Sequence, residues 1–124
     1  MHDTITIRPD LELVHVRSTG VLEFDYLMIS LQTVATVARG CEYHRVLVNA
    51  TEIAELPPVA SMYDFGEAIA NHLGGMHFAV VHSDGNREKL EFMEDVCANR
   101  GLVARSFTDE AKATEWLIND TPAG

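Results

Sequence analysis

Histidines and acidic residues are the side chains of this chain that could bind a metal ion or transfer protons. There are six histidines, and His72, His77 and His82 follow one another at intervals of five residues. Residues on one face of a strand lie an even number apart, whereas His77 and His82 lie on one predicted strand at an odd separation. Neither an H-x-x-x-H pair nor a C-x-x-C pair accompanies them. The pattern is typical of polar residues at strand ends, and we expect no metal and no other cofactor.

Two cysteines and a pair of glutamates are the other candidates for catalysis. A nucleophilic Cys or Ser needs a neighbouring base. Cys97 falls in the apolar stripe of its predicted helix, and Cys41 follows a predicted helix end, where an apolar residue packs back. Glu52 and Glu55 could form a carboxylate pair, although such pairs are common on the surface of an acidic protein. Without a G-x-S-x-G motif, we expect no catalytic residues and no enzymatic activity.

The segment "SDGNRE" at 83–88 could bind an anion. It follows a predicted strand, and ligands of open α/β sheets gather beyond the carboxyl ends of strands. Gly85, Arg87 and the free amides of the next helix are suitable groups for that purpose. Asp84 and Glu88 bring negative charge to the same place, and a single glycine is no Walker or Rossmann fingerprint. A turn whose acids complement the helix dipole is therefore favoured.

Composition limits the partners and the compartment. The 124 residues suffice for one domain over 1–124. The formal net charge of −10 makes nucleic acid and anionic membranes poor partners. The amino terminus lacks the pattern of a secretory signal, and no run approaches the roughly 18 to 20 apolar residues that span a bilayer. Two cysteines are too few for a disulfide scaffold. We expect a reduced, cytoplasmic protein without a membrane span.

Strand and helix patterns alternate along the chain. The strand patterns are "TITIR", "LELVHVRS", "HRVLVNA", "MHFAVVH" and "LVARSF", and the helical patterns cover 23–39, 58–73, 87–100 and a last helix with Thr108 as N-cap. The first two strands are close enough to form an antiparallel hairpin. Gly40 and Gly101 are predicted to end the first and third helices. Short links between the later elements predict parallel strands joined by right-handed crossovers.

Apolar spacing predicts the inner face of the first two helices. The predicted inner residues are Phe24, Leu27, Met28, Leu31, Val34, Ala35 and Ala38 in the first helix, and Val59, Met62, Tyr63, Gly66, Ile69, Ala70 and Leu73 in the second. Three apolar residues lie off these stripes, namely Ile29, Val37 and Phe65. We expect them to add to an exposed apolar surface, although Phe65 is also compatible with a helix covered on two sides.

The end of the chain, with "NRG", a strand, "F-x-D" and "A-x-x-W-L", resembles the bacterial STAS-like proteins (sulfate transporter and anti-sigma factor antagonist), in the subgroup often labelled sporulation anti-anti-sigma-like. Gly101, Phe107 and Trp116 carry this resemblance. It implies a single α/β domain with a mixed sheet of about five strands, an N-terminal antiparallel hairpin followed by parallel βαβ units, and about four helices. It also implies a non-catalytic regulatory or protein-interaction module that often self-associates, so we expect a homodimer and a protein partner.

The best-studied members of that family are switched by phosphorylation of a serine at the start of the helix after the third strand. This sequence departs from their motif, because Asn49, Ala50, Thr51 and a long "EIAELPP" follow the strand. Ser61 is the nearest serine to the helix start. It is the candidate phosphosite, with a solvent-facing helix serine as the alternative.

The connection after Asn49 carries more apolar residues than a corner needs, and it lacks the glycines of a phosphate cradle. Either these residues pack inward or they form a docking surface. The predicted partner or ligand surface consists of Asn49, Thr51, Glu52, Ile53, Leu56, Ser61 and Phe65.

A second hypothesis is a small-molecule or lipid carrier with an apolar pocket between the sheet and the first or second helix. Its motivation is a group of Met and aromatic residues, namely Phe24, Met28, Met62, Tyr63 and Phe65, together with a likeness to lipid-transfer domains in fold alone. An ordinary core explains the same residues, since methionine fills irregular gaps in any interior.

Overall fold

A computed structural model describes residues 3–120. Its elements, in chain order, are β1 (Asp3–Arg8), β2 (Leu13–Val21), α1 (Phe24–Cys41), β3 (Arg45–Glu55), α2 (Val59–His72), β4 (His77–Val81), a 3₁₀ turn (Asp84–Asn86), α3 (Arg87–Asn99), β5 (Val103–Phe107) and α4 (Glu110–Asp120). The described part of the chain therefore contains the mixed five-stranded sheet and the four α-helices that the sequence predicts.

The five strands lie side by side in the order in which they occur in the chain. β1 and β2 form the predicted antiparallel hairpin, with Ile5 opposite Val16, and the other strands pair in parallel. Crossovers of one hand that always advance in the same direction place their helices on one face of the sheet. Accordingly α1, α2 and α3 pack on one face, and α4 covers part of the other.

Two apolar cores lie on the two faces of the sheet. The larger core joins alternate strand residues such as Val46 and Phe78 to α1, α2 and α3. The smaller core beneath α4 consists of Leu13, Leu47, Ala79, Val81, Ala113 and Leu117. Trp116 closes this second core, with its ring centroid 5.8 Å from those of both His77 and Phe107. Burial on both faces explains why β3 and β4 carry consecutive apolar residues.

The predicted end of α1 at Gly40 is wrong. The helix continues to Cys41, and Glu42 takes the left-handed conformation, with a φ of 61°. The Tyr43 N–H donates to the Ala38 carbonyl, the bond that closes a Schellman motif. Tyr43 packs against the larger core, and the left-handed residue that ends the helix is Glu42, two residues beyond Gly40. At the end of α3, by contrast, Gly101 has the expected left-handed conformation, with a φ of 87°.

The predicted end of the third strand near Ala50 is also wrong. β3 continues to Glu55 because β2 is longer than predicted and pairs with it, Thr19 with Glu52 and Gly20 with Ile53, across register shifts. The long connection expected after Asn49 is therefore mostly strand, and only residues 56–58 link it to α2.

Two expectations about helix faces and caps need correction. Val59 and Tyr63 were predicted to face the core, yet they are 49% and 41% exposed. Phe65, which lies off the predicted stripe, packs against the core instead, because α2 also contacts α1 and Phe65 lines the cavity beside that helix. In α4 the capping residue is Asp109 rather than Thr108, since the Ala111 N–H donates to Asp109 Oδ1 at 2.8 Å.

Candidate functional site

The seven residues of the predicted surface do not lie together. Asn49 and Thr51 point to the face of the sheet that carries α4, and the exposed Glu52 follows them. The other four positions of the predicted surface do not join these three on that face. In the extended strand, Ile53 and the following Leu56 are buried in the larger core, at 7% and 4% exposure. Their side chains therefore anchor the end of β3 and the link to α2 in the larger core.

Asn49 and Thr51 belong to a polar network at the start of α4. The Asn49 amide donates to Glu110 Oε1 at 3.1 Å, and His15 Nε2 lies 2.8 Å from the same oxygen. Asn49 Oδ1 accepts hydrogen bonds from the Thr51 N–H and hydroxyl, at 3.0 and 2.7 Å. The network thus ties α4 to β2 and β3.

Sequence reasoning missed both His15 and Glu110 as members of this network. They are separated by 95 positions in the chain, and no local motif connects them. The only available signal would have been the strand order, because it brings β2 beside β3 under the start of α4.

The network holds a carboxylate in its charged form. Burial by itself raises the pKa of Glu110, but the hydrogen bonds from His15 and Asn49 oppose it, and the net effect lowers the pKa. The Thr51 hydroxyl donates to an amide oxygen rather than to a base. A nucleophile needs a base to take its proton, so the contacts of Thr51 are those of a structural residue.

Ser61 lines an open groove of about 320 Å³ between the start of α1 and the start of α2. The groove is lined by Val21, Leu22, Glu23, Phe24, Glu55, Leu56, Pro57, Pro58 and Ser61. The Ser61 N–H donates to the Pro58 carbonyl at 2.9 Å, which places Ser61 in the first turn of α2. Val21 is 56% exposed at the rim. Two carboxylates and no Lys or Arg are among the lining residues, so the groove is apolar with an acidic rim.

The start of α3 fixes the wall of this groove. Asn86 Nδ2 donates to the Ile53 carbonyl at 2.8 Å, and Lys89 Nζ donates to the Leu56 carbonyl at 3.0 Å. The two connections at this edge of the sheet therefore meet, as the predicted parallel order requires. Arg87, the candidate anion ligand, forms an ion pair with Glu91 at 3.3 Å. Among the strands of residues 3–120 the order never reverses, so these strands form no crevice at a point of reversal, which is where such folds bind nucleotides.

Phe65 lies at the wall of a cavity of about 70 Å³ between the sheet and helices α1 and α2. The residues that line the cavity are apolar except for Ser18 and Ser30. The hydroxyls of these two serines donate hydrogen bonds to the Asp3 carboxylate. One water molecule occupies about 30 Å³ in the liquid, whereas ligand pockets have about 300–1,000 Å³. The cavity is therefore much smaller than a bound lipid in this conformation.

The remaining chemical candidates are buried or dispersed. Cys97 is fully buried, its thiol lies 3.5 Å from the Gly66 carbonyl, and burial raises its pKa to about 12. It is therefore protonated and a poor nucleophile. His82 is 3% exposed just beyond the end of β4.

Within residues 3–120 no three His, Cys, Asp or Glu side chains are grouped to hold a metal. None of the described helices has the length and apolar character to cross a membrane.

The solved structures that are similar to this chain include an anti-sigma factor antagonist and a protein of the DUF3478 family. The anti-sigma factor antagonist SpoIIAA in its unphosphorylated form aligns with a TM-score of 0.57 and 13% identity, over 91% of this chain and 94% of that chain. A protein of the DUF3478 family from Shewanella loihica PV-4, which has a SpoIIAA-like fold, aligns with a TM-score of 0.63 and 17% identity, over 94% of this chain and 95% of that one.

No protein-family model matches the sequence, and no curated protein matches it. At identities this low, structural similarity establishes the fold alone. The fold is SpoIIAA-like, which confirms the STAS-like architecture that the end of the sequence implies.

Proposed function

We propose that the protein is a non-catalytic, cytoplasmic module that binds another protein through the groove at Ser61. The observation that carries the proposal is the exposed apolar surface at the entrance of this groove. Val21 is 56% exposed, and the half-buried Phe24 also lines this groove. Apolar patches of this kind on a small domain are typical of protein contact sites. The buried state of Cys97 and the amide-bound hydroxyl of Thr51 also favour binding over catalysis.

A phosphate on Ser61 would regulate this contact. Phosphorylation adds about two negative charges, and Glu23 and Glu55 already line the groove. The free amides at the start of α2 can accommodate the phosphate itself. The added charge would nevertheless lie in the apolar part of the groove, so the phosphorylated protein would release its partner.

Site-specific photocrosslinking tests the binding function. A photoreactive residue at Val21 should capture a defined partner in cells that express the protein, and the same residue at Thr33, which is exposed on α1, should not. Ser61→Asp should reduce capture at Val21, whereas Ser61→Asn should leave it. Equal capture of the partner at Val21 and at Thr33 would refute the groove as the binding site. Mass spectrometry of the purified protein should find phosphate on Ser61, and its appearance on Thr51 alone would move the switch to the polar network.

A homodimer is part of the same proposal, and β1 is its expected contact. β1 and β5 are the edges of the sheet. Edge strands are usually protected from self-pairing by a central charge, and β5 carries Arg105 in its middle. β1 has no charged residue between Asp3 and Arg8, and its Ile7 is 44% exposed. Two copies of β1 can therefore pair without repulsion.

Light scattering at about 50 µM, where micromolar affinities are visible, tests the dimer. The unmodified protein should have the mass of two chains. Ile7→Lys should give a monomer, and Val103→Lys on the opposite edge, at a residue that is 46% exposed, should not. A monomeric unmodified protein excludes the dimer.

The apolar lining of the cavity of about 70 Å³ identifies where a second candidate function, the apolar-ligand carrier, would bind its ligand. An acyl chain would fit only if α1 or α2 moved away from the sheet, since its volume exceeds that of the cavity. Native mass spectrometry with palmitate should then detect a one-to-one complex and a rise in melting temperature. Ala50→Leu fills the cavity from β3, so it should abolish the complex. If palmitate neither binds nor stabilises the protein, the carrier is excluded.

A further inference from the structure

A second groove, of about 480 Å³, lies between α2 and α3 on the outer surface. Its lining residues are Val59, Asp84, Arg87, Glu88, Glu91, Phe92 and Asp95. Val59 is 49% exposed, and the half-buried ring of Phe92 has its centroid 6.4 Å from that of Tyr63, which is itself 41% exposed. The apolar lining of the groove therefore consists of Val59 from α2 and the aromatic ring of Phe92 from α3, and Tyr63 lies next to that ring.

The sides of this groove are strongly acidic. Four carboxylates and one guanidinium line it. The guanidinium of Arg87 forms an ion pair with Glu91, which neutralises one carboxylate. Asp84, Glu88 and Asp95 remain, and the lining contains no further Lys or Arg. Asp84 and Glu88 complement the start of α3, but Asp95 lies two turns further along, where the helix dipole does not explain it.

We propose that this groove binds a basic amphipathic helix of a partner protein. Such a helix would lay its apolar residues on Val59 and Phe92 and direct Lys or Arg side chains toward Asp84, Glu88 and Asp95. A second copy of this chain fits poorly, since a twofold contact would set the same carboxylates against each other in a protein of net charge −10. The same charge repels an anionic membrane.

This surface is distinct from the groove at Ser61. The two share no lining residue, because Val59 borders only the second groove and Ser61 only the first. Each can therefore be changed without altering the lining of the other. A loss of binding at one leaves the proposal for the other intact.

A pair of designed peptides tests the inference. The probe is an amphipathic helix of Leu and Lys, and its control carries Glu in place of every Lys. NMR of the whole protein should show shifts concentrated at Val59, Tyr63 and Phe92 with the basic peptide and none with the acidic one. The affinity should fall with added salt, since screening weakens exposed charge pairs. Shifts spread over the whole surface would overturn the proposal.

Two triple variants with the same net charge separate this groove from general attraction. The groove variant neutralises three carboxylates of the groove through Asp84→Asn, Glu88→Gln and Asp95→Asn. The control variant neutralises three exposed acids elsewhere through Glu12→Gln, Asp25→Asn and Glu115→Gln. Both change the formal charge from −10 to −7. The groove variant should weaken basic-peptide binding by about tenfold, and the control should weaken it by less than about twofold. Equal weakening by both would overturn the inference, as would tighter binding of Ca²⁺ than of the peptide at the same carboxylates.

Discussion

Gly66 in α2 lies against Val96 in α3 so closely that a Cβ atom on Gly66 would be 2.9 Å from Val96 Cβ. The same Cβ would lie 3.2 Å from the Met93 carbonyl oxygen. A glycine allows the two helices to approach at this point, and the approach sets the spacing of the groove that they enclose. The absence of a side chain at Gly66 therefore contributes to the shape of the groove between α2 and α3.

Gly66→Ala should destabilise the protein by about 1–3 kcal/mol, because backbone and a β-branched side chain must both shift to admit a methyl group. Gly40→Ala in α1 is the matched control, since nothing lies within 4 Å of a Cβ there. It should stabilise by about 0.5–1 kcal/mol through helix propensity. Urea denaturation followed by circular dichroism measures both changes. Equal effects of the two variants would show that the close approach carries no strain.

Asn86→Ala should destabilise by about 1–3 kcal/mol, because it leaves the Ile53 carbonyl without its buried donor. Asn86 is 8% exposed and its amide lies 2.8 Å from that carbonyl. Asn99→Ala, at an exposed residue in the last turn of α3, should change stability by less than about 0.5 kcal/mol. Hydrogen exchange should also become faster at the end of β3 in the first variant alone. An unchanged hydrogen-exchange rate at the end of β3 would contradict a stabilising hydrogen bond between the Asn86 amide and the Ile53 carbonyl.

Glu110→Gln should change the acid limb of the stability curve. The folded protein lowers the pKa of Glu110 below its ordinary value of 4.5. A lowered pKa contributes stability above the unfolded value that is lost as the pH falls through the folded value. The side chain is 44% exposed, so water screening limits the contribution to under about 1 kcal/mol.

Denaturation at pH 7 and below pH 4.5 measures this effect. The unmodified protein should lose more stability than Glu110→Gln between these conditions. Glu115→Gln, an exposed change on the same helix, should follow the unmodified curve. Parallel curves for the unmodified protein and Glu110→Gln would mean that His15 and Asn49 do not hold the carboxylate.

Alkylation should distinguish the two free thiols. Burial raises the pKa of Cys97 to about 12, so the folded protein presents it as an inaccessible, protonated thiol. Cys41 is half-buried at the end of α1. Iodoacetamide at pH 8 should therefore modify one cysteine of the native protein, and peptide mapping should identify it as Cys41. In urea both should react, and rapid native labelling of Cys97 would contradict its burial.

Local patterns were sufficient where a single element decides the outcome. The spacing of Leu27, Leu31 and Val34 predicted the buried face of α1, and Gly101 predicted the end of α3. The consecutive apolar residues of β3 and β4 predicted burial on both faces. These features depend on residues near one another in the chain, so the local sequence pattern is sufficient to predict them.

Residues whose environment depends on a distant element were predicted less well. Ile53 lies in a strand because the end of β2 is available to pair with it. Phe65 is partly buried because α1 lies beside α2, whereas Val59 and Tyr63 remain exposed on α2. In each case the deciding neighbour is far away in the chain, and helical or strand periodicity carries no information about it.

The sequence by itself determined an acidic α/β chain whose helices and strands alternate. Only the tertiary structure decided the straight strand order, which places α1, α2 and α3 on one face and brings Glu110 to His15 and Asn49 on the other. The physical reason is that local periodicity fixes which face of an element is apolar. Which neighbour covers that face, and which polar groups then meet, depends on contacts between elements far apart in the chain.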